Sequence, residues 1–331
     1  MTARWRSPIF VLLRAAFGLA LLVYVLRSGG AWASLRELFG IAWLVAALNT
    51  FPLIGAAIES LRLGALVGAQ GLHLGFWTGF RVVSIGALFN LWIPGGTGGD
   101  VMKLYYIADR HSGRGVEVAT VLLVDRAVAL FALLTLILGL LLVQRPLASV
   151  PAVRGALVGI ALALAALIAG TAFVWSSRIR GSAIYQGLLA RIPLGRYIRR
   201  AADAVYRFRD HKPAIVKAAL LSITGHALLG VTLALAGTVL VPGVPPLTVT
   251  TLSLLGLVAN ALPITPGGLG VGEAASEALF RSVGVTGGAS LIAAWRAGTI
   301  LVCVLGAAFY IRGMRDPAAR GVRSGSEWIT R

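Results

Sequence analysis

Ten ionisable side chains lie within or beside long apolar runs of this sequence: Arg14, Glu59, Arg81, Asp100, Asp125, Arg126, Glu273, Glu277, Arg281 and Arg296. At the depth of a bilayer each costs about 2.5–3.5 kcal/mol on insertion scales, so such residues face protein or water and mark paths for polar cargo. Two of the acids follow a broken run. The first break reads Asn90-Leu91-Trp92-Ile93-Pro94-Gly95-Gly96-Thr97-Gly98-Gly99-Asp100. The second reads Asn260-Ala261-Leu262-Pro263-Ile264-Thr265-Pro266-Gly267-Gly268-Leu269-Gly270-Val271-Gly272-Glu273. Each has an Asn, then Pro-Gly-Gly-x-Gly, then a carboxylate within three residues.

Pro removes a helix hydrogen bond and Gly admits backbone angles that other residues avoid. The hinges are therefore Pro94, Gly95, Gly96, Gly98 and Gly99 in the first break, and Pro263, Pro266, Gly267, Gly268 and Gly270 in the second. A helix starting after a break offers a positive dipole end, suited to an anionic group such as phosphate. The expected substrate-binding set is Asn90, Asp100, Lys103, Arg126, Asn260, Glu273 and Arg296. Lys103, Arg126 and Arg296 would hold a phosphate, while Asp100 and Glu273 would hold a cationic group or take up protons. Arg126 or Arg296 is the expected partner of Glu273. Asp125 and Arg126, about 100° apart on a helix, should find different partners. Glu59, Arg62 and Arg281, near span ends, are expected to snorkel.

The elements that position these residues follow from composition. Hydrophobic types make up 58% of the 331 residues and charged types 13%, with a net charge of +18. A disordered chain is less hydrophobic and a soluble domain this apolar could not cover its surface, which leaves a polytopic membrane protein. The lone cysteine, Cys303, excludes an internal disulfide framework. Basic residues flank apolar segments, as the positive-inside rule places them, so nucleic acid is not an expected partner. Full spans are expected at 8–26, 41–58, 116–143, 152–175, 214–241 and 289–311, all in one transmembrane domain covering 1–331. The first could be a signal peptide ending at Ala31-Trp32-Ala33, but Arg27 intervenes and a retained helix is the reading adopted.

Ten basic residues lie between Arg178 and Lys217, opposed by Asp203 and Asp210. That loop (176–213), the N-terminus and the basic tail (312–331) are assigned to the cytoplasmic side of the cell membrane, and the uncharged stretches 242–250 and 282–288 to the outside. The segments 76–110 and 247–280 must then return to the side from which they start. The expected fold is all-α: about six full spans plus two oppositely oriented re-entrant helical hairpins, an inverted-repeat-like arrangement. Broken backbone is tolerated at membrane depth only where protein or a water-filled cavity covers it, and paired breaks in two halves point to a transporter's central site. The Arg-rich stretch 181–217 reads either as an amphipathic interfacial segment gripping anionic membrane lipids or as a topology-setting loop.

Residues 90–103, Asn-Leu-Trp-Ile-Pro-Gly-Gly-Thr-Gly-Gly-Asp-Val-Met-Lys, resemble the first signature of the lysylphosphatidylglycerol synthase transmembrane (flippase-like) family. Residues 263–273, Pro-Ile-Thr-Pro-Gly-Gly-Leu-Gly-Val-Gly-Glu, resemble its second, and Leu-Leu-Val-Asp-Arg at 122–126 lies where the family has a charged residue and Arg in a span. The resemblance covers essentially the whole chain and implies a translocase fold that moves a phospholipid or lipid-linked headgroup between leaflets. Two-domain synthases carry a soluble aminoacyl-transferase domain after the membrane part; about 20 residues follow the last span here, so lysine transfer is not expected. Lys103 stands where Arg would be expected, which keeps the cation but loses the bidentate fork.

The reading is therefore a transporter rather than an enzyme, the alternative being a membrane-embedded lipid-modifying transferase or an accessory subunit of one. An intramembrane aspartyl protease is disfavoured because Thr97 replaces the first Gly of Gly-x-Gly-Asp and Asp125 follows rather than precedes Asp100. The four histidines lack zinc spacing, no Gly-Lys dipeptide supports a P-loop, and the dinucleotide-like Gly270-Val271-Gly272 run lacks a strand unit. No cofactor or metal is expected. Expected partners are a phospholipid or lipid-linked substrate, anionic lipids, and either a second copy of the chain or a lipid-modifying enzyme.

Overall fold

The computed structural model describes residues 36–92, 98–176, 195–261, 265 and 268–315. The expected span at 8–26, the hinge residues Pro94, Gly95, Gly96, Pro263, Pro266 and Gly267, and most of the basic tail lie outside the described residues. In chain order the helices are α1 (Ala42–Gly68), α2 (Phe76–Trp92), α3 (Gly98–Asp109), α4 (Gly115–Val143), the single turn α5 (Arg145–Ala148), α6 (Pro151–Trp175), α7 (Gly195–Arg207), α8 (Lys212–Leu240), α9 (Pro246–Val258), α10 (Val271–Arg281) and α11 (Gly288–Arg315). No strand occurs among the described residues.

Among the described residues, five helices are long and apolar enough to cross a membrane: α1, α4, α6, α8 and α11. With 25 to 29 residues each, they run about 38–44 Å, enough for a hydrocarbon core of about 30 Å with some tilt. They match five of the six expected spans. Their outward side chains are apolar: Leu123, Leu142, Leu162, Ile168 and Leu220 are all more than half exposed, a distribution that suits lipid and not water. α1 corrects the expected boundary of 41–58. It continues ten residues further, through Glu59 and Arg62, because both charges find partners inside the bundle and the helix need not stop where the apolar run does.

α2, α3, α9 and α10 have 17, 12, 13 and 11 residues, so each falls short of the hydrocarbon thickness at about 16–26 Å. They pack as two antiparallel pairs. Gly86 of α2 lies against Gly99 and Lys103 of α3, and Gly256 of α9 lies against Ser276 of α10. The pairs start from opposite ends of α4. Where α4 begins, Arg114 Nη2 donates to the Gln70 carbonyl at 3.1 Å, and Gln70 Nε2 donates to the Ala204 carbonyl at 2.8 Å. Where α4 ends, Gln144 Nε2 donates to Thr251 Oγ1 of α9 at 2.6 Å, and Thr248 Oγ1 donates back to Gln144 Oε1 at 3.1 Å. The order span, helix pair, span thus occurs twice in opposite senses, as α1–α4 and as α8–α11.

Each helix pair sits in its own apolar cluster. Leu63, Leu66, Val82, Ile107, Val118 and Val121 pack around α2 and α3. Leu44, Leu134, Ile137, Leu233, Leu252 and Phe280 belong to the cluster around α9 and α10. α1, α4, α8 and α11 contribute to both clusters. The stretches of these helices that run between the clusters form the polar layer described below.

The expected loop at 176–213 contains α7, whose apolar side docks on α4 and α6. Ala204 and Phe208 are buried and Trp175 Nε1 donates to the Val205 carbonyl at 3.3 Å, while Arg199, Arg200 and Arg207 remain exposed.

Close packing in the centre depends on small residues, as expected where lipid supplies no hydrophobic force between helices. A Cβ at Gly298 would collide with the Leu48 carbonyl oxygen of α1, and one at Gly306 with the Ser84 carbonyl oxygen of α2. Gly306→Leu must therefore separate α11 from α2. Overpacking of this kind costs about 1–3 kcal/mol, and more where backbone moves. The variant should unfold several degrees below the wild type in a detergent melt; an unchanged melting temperature would contradict this packing.

Candidate functional site

A cavity of about 450 Å³ lies between the two clusters and is lined by α1, α2, α3, α8 and α11 and by Asn260 in the turn that follows α9. Its polar lining comprises Glu59 and Arg62 of α1, Asn90 of α2, Lys103 of α3, Ser222, His226 and Thr232 of α8, Asn260, and Arg296 and Thr299 of α11. Pro52 and Gly55 line the α1 wall, where the missing side-chain bulk and the lost proline donor leave room.

The second break is held by one guanidinium. Arg296 Nε donates to Glu273 Oε1 at 2.6 Å, and Nη2 donates to the Gly268 carbonyl at 2.9 Å and to Asn260 Oδ1 at 3.3 Å. Glu273 Oε2 accepts from the Gly270 amide at 2.9 Å, closing the first turn of α10. Gly268 and Gly270 have φ of +69° and +79°, a region costly for any residue with a Cβ. A Cβ at Gly272 would strike the Asn260 amide. Of the two arginines considered for Glu273, the structure uses Arg296. Glu273 is fully buried and does not line the cavity; its negative charge meets the α10 N-terminus and Arg296.

The first break repeats part of this plan. Asn90 Oδ1 accepts from the Gly99 amide at 2.7 Å, and a Cβ at Gly99 would lie 2.7 Å from both the Asn90 Nδ2 and the Gly86 carbonyl oxygen. Its acid is placed differently. Asp100 pairs with Arg126 of α4 and lies 3.8 Å from Lys103 Nζ. This pair sits outside the cavity lining, with the Arg126 side chain 47% exposed and that of Asp100 27%. Asp125, adjacent to Arg126, points elsewhere as helix geometry requires: it receives Arg62 Nε at 2.7 Å and Nη2 at 2.8 Å.

Glu59 and Arg62 depart from expectation. Neither snorkels. Lys103 Nζ pairs with Glu59, and Arg62 adds a bond from Nη1 to Ser222 Oγ at 3.2 Å, so both belong to the cavity wall. Arg281, at the end of α10, does keep an exposed side chain, bound to Glu277 at 2.9 Å. A further sequence signal precedes both breaks: Gly86 and Gly256 each stand four residues before the Asn, where the missing side chain lets the returning helix approach.

The site therefore places three cations, two carboxamides and one carboxylate around a polar space midway between two apolar clusters. Arg62 and Arg296 are fixed by acids standing behind them, so their charge is presented at defined points, the arrangement that favours an anion with several acceptor oxygens. No cluster of three or more side chains fit to hold a metal occurs among the described residues.

No curated protein and no solved structure gives a match. Residues 8–307 match the family described as the lysylphosphatidylglycerol synthase TM region. With its paired broken helices and that match over most of its length, the chain is a membrane protein belonging to the lysylphosphatidylglycerol synthase transmembrane family.

Proposed function

We propose that the chain is a lipid translocase, moving a phospholipid or lipid-linked polar headgroup between leaflets. The observation that carries this reading is the polar cavity bounded by Asn90 and Asn260, with Arg62, Lys103 and Arg296 in its wall. A headgroup cannot cross hydrocarbon cheaply, since its polar groups lose water without gaining partners. A cavity midway along the spans offers replacement partners while the acyl chains stay in lipid. Lys103, Arg296 and the two Asn would hold the phosphate there. The Asp100–Arg126 pair, nearer the outer face of the bundle, would receive it on the way in, and Glu273 would act by holding Arg296 rather than by touching cargo.

In this reading α2–α3 and α9–α10 are re-entrant hairpins from opposite sides of a cell membrane, with both termini cytoplasmic. The exposed arginines of α7 support that orientation and suit contact with anionic lipid heads. Single cysteines in a Cys303→Ala background test it. Positions 110 and 210 should react with membrane-impermeant maleimide only after the cells are opened, whereas 144 and 284 should react in intact cells. The reverse pattern would overturn the orientation.

Transport itself is tested by leaflet-resolved flipping of a fluorescent phospholipid in proteoliposomes. Losing a hydrogen bond to a charged group costs about 1.5–3 kcal/mol, so Lys103→Met should slow flipping by about tenfold or more. Lys103→Arg should keep most of the rate because the cation remains. Equal rates for Lys103→Met and wild type would contradict the headgroup site. Product formation from labelled donors by the purified protein would favour a lipid-modifying transferase instead.

A further inference from the structure

Glu59 is the one acidic residue among the described residues that line the cavity. Its neighbours fall into two classes. The arginines of the wall are committed to acids outside it: Arg62 to Asp125 through two bonds with its remaining Nη1 on Ser222, and Arg296 to Glu273. Lys103 differs, because its close partner is Glu59, which lines the same space as any cargo would. Asp100 is further from the ammonium, at 3.8 Å. The side chain of Glu59 is 31% exposed and that of Lys103 9%, so the carboxylate is the half of the pair that borders open space.

The resting cavity thus holds an anion supplied by the protein. We infer that Glu59 occupies the place of the cargo's phosphate, that an incoming anionic headgroup displaces it from Lys103, and that the displaced carboxylate takes up a proton. The inference rests on the translocase reading above and adds competition and proton coupling to it. No covalent bond changes. Lys103 exchanges one anion for another, and one proton from water converts the Glu59 carboxylate into a carboxylic acid. The charge of the site is then the same before and after a monoanionic headgroup binds. Without the proton, two anions would share a space whose arginines are already paired, which favours the neutral acid.

The groups that face Glu59 define what else could titrate. Arg62 shares its helix, Lys103 comes from α3 with Asp100 one turn away, and His226 comes from α8 within electrostatic reach. Asp125 of α4 is held behind Arg62, and Arg296 of α11 lines the same cavity. His226 is the competitor for the proton. Its Nε2 lies 3.1 Å from the Ala129 carbonyl oxygen, so a neutral ring already uses that nitrogen as a donor.

The test is titration calorimetry of the full chain in nanodiscs of zwitterionic lipid, with soluble short-chain phosphatidylglycerol as the probe. Runs near neutral pH in two buffers of different ionisation heat give the protons taken up per ligand bound. Wild type should take up about one, and its affinity should fall by up to about tenfold per pH unit as pH rises, since a binding step that consumes a proton is opposed by its scarcity. Glu59→Gln should bind with no proton uptake and no pH dependence, and more tightly than wild type on the alkaline side. Glu59→Asp, which keeps the acid on a shorter arm, and His226→Asn should both retain uptake. Binding by wild type without uptake, or uptake that persists in Glu59→Gln, overturns the coupling and leaves the translocase reading standing. Absence of any binding to wild type, with the protein folded by its melting curve, overturns both.

Discussion

Backbone that is broken inside an apolar bundle must find partners for the groups its helices release, because apolar surroundings offer none. The rest of the structure depends on that requirement. In the second break, Arg296 binds Glu273, Asn260 and the Gly268 carbonyl at once, while Glu273 takes the Gly270 amide and Thr265 Oγ1 donates to the Leu269 carbonyl. In the first, Asn90 takes the Gly99 amide that opens α3. Both solutions need glycine where the Asn approaches, and both leave an Asn at the edge of the same polar space. Closing the breaks and building the cavity are one act of packing.

The two halves share a plan but differ in where their charge lies. Glu273 is sealed between the start of α10 and Arg296, with both oxygens occupied. Breaking such a buried pair costs about 3–5 kcal/mol because the remaining charge has no partner, so this half acts as a fixed wall. The half built on α1–α4 carries its charge in a sequence of contacts, Arg126 with Asp100, Asp100 near Lys103, Lys103 with Glu59. Arg126, Glu59 and Asp100 are more open to their surroundings, Arg126 most of all, while Lys103 between them is buried. An array of exchangeable pairs facing a fixed wall suits a site whose occupant has to arrive and leave.

Much of this was legible in the residues. Five of the six expected spans emerged because an apolar run of 18 or more residues leaves the backbone few alternatives to a helix. The paired breaks stood out because Pro and Gly act locally, through their own dihedral angles. What the residues hid was relational. Glu59 and Arg62 looked like span-end charges because hydropathy drops at Glu59; their roles depend on Lys103 and Asp125, 44 and 63 residues away in sequence. Glu273 read as a cargo ligand from its place after a break, whereas burial and two donors assign it to holding Arg296. Gly86 and Gly256 carried a usable signal, four residues before each Asn, but its meaning required knowing that another helix returns there.

The central claim is that a headgroup occupies the space between Asn90, Lys103 and Arg296. The most direct measurement is photo-crosslinking with a phospholipid that carries a diazirine on its headgroup, followed by peptide mapping of the protein in nanodiscs. The account predicts headgroup adducts on the cavity-lining segments of α1 (Phe51 to Arg62), α8 (Leu221 to Thr232) and α11 (Trp295 to Cys303), suppressed by excess unlabelled phospholipid. Adducts confined to the helix ends and to α6, with none on those three segments, would contradict it.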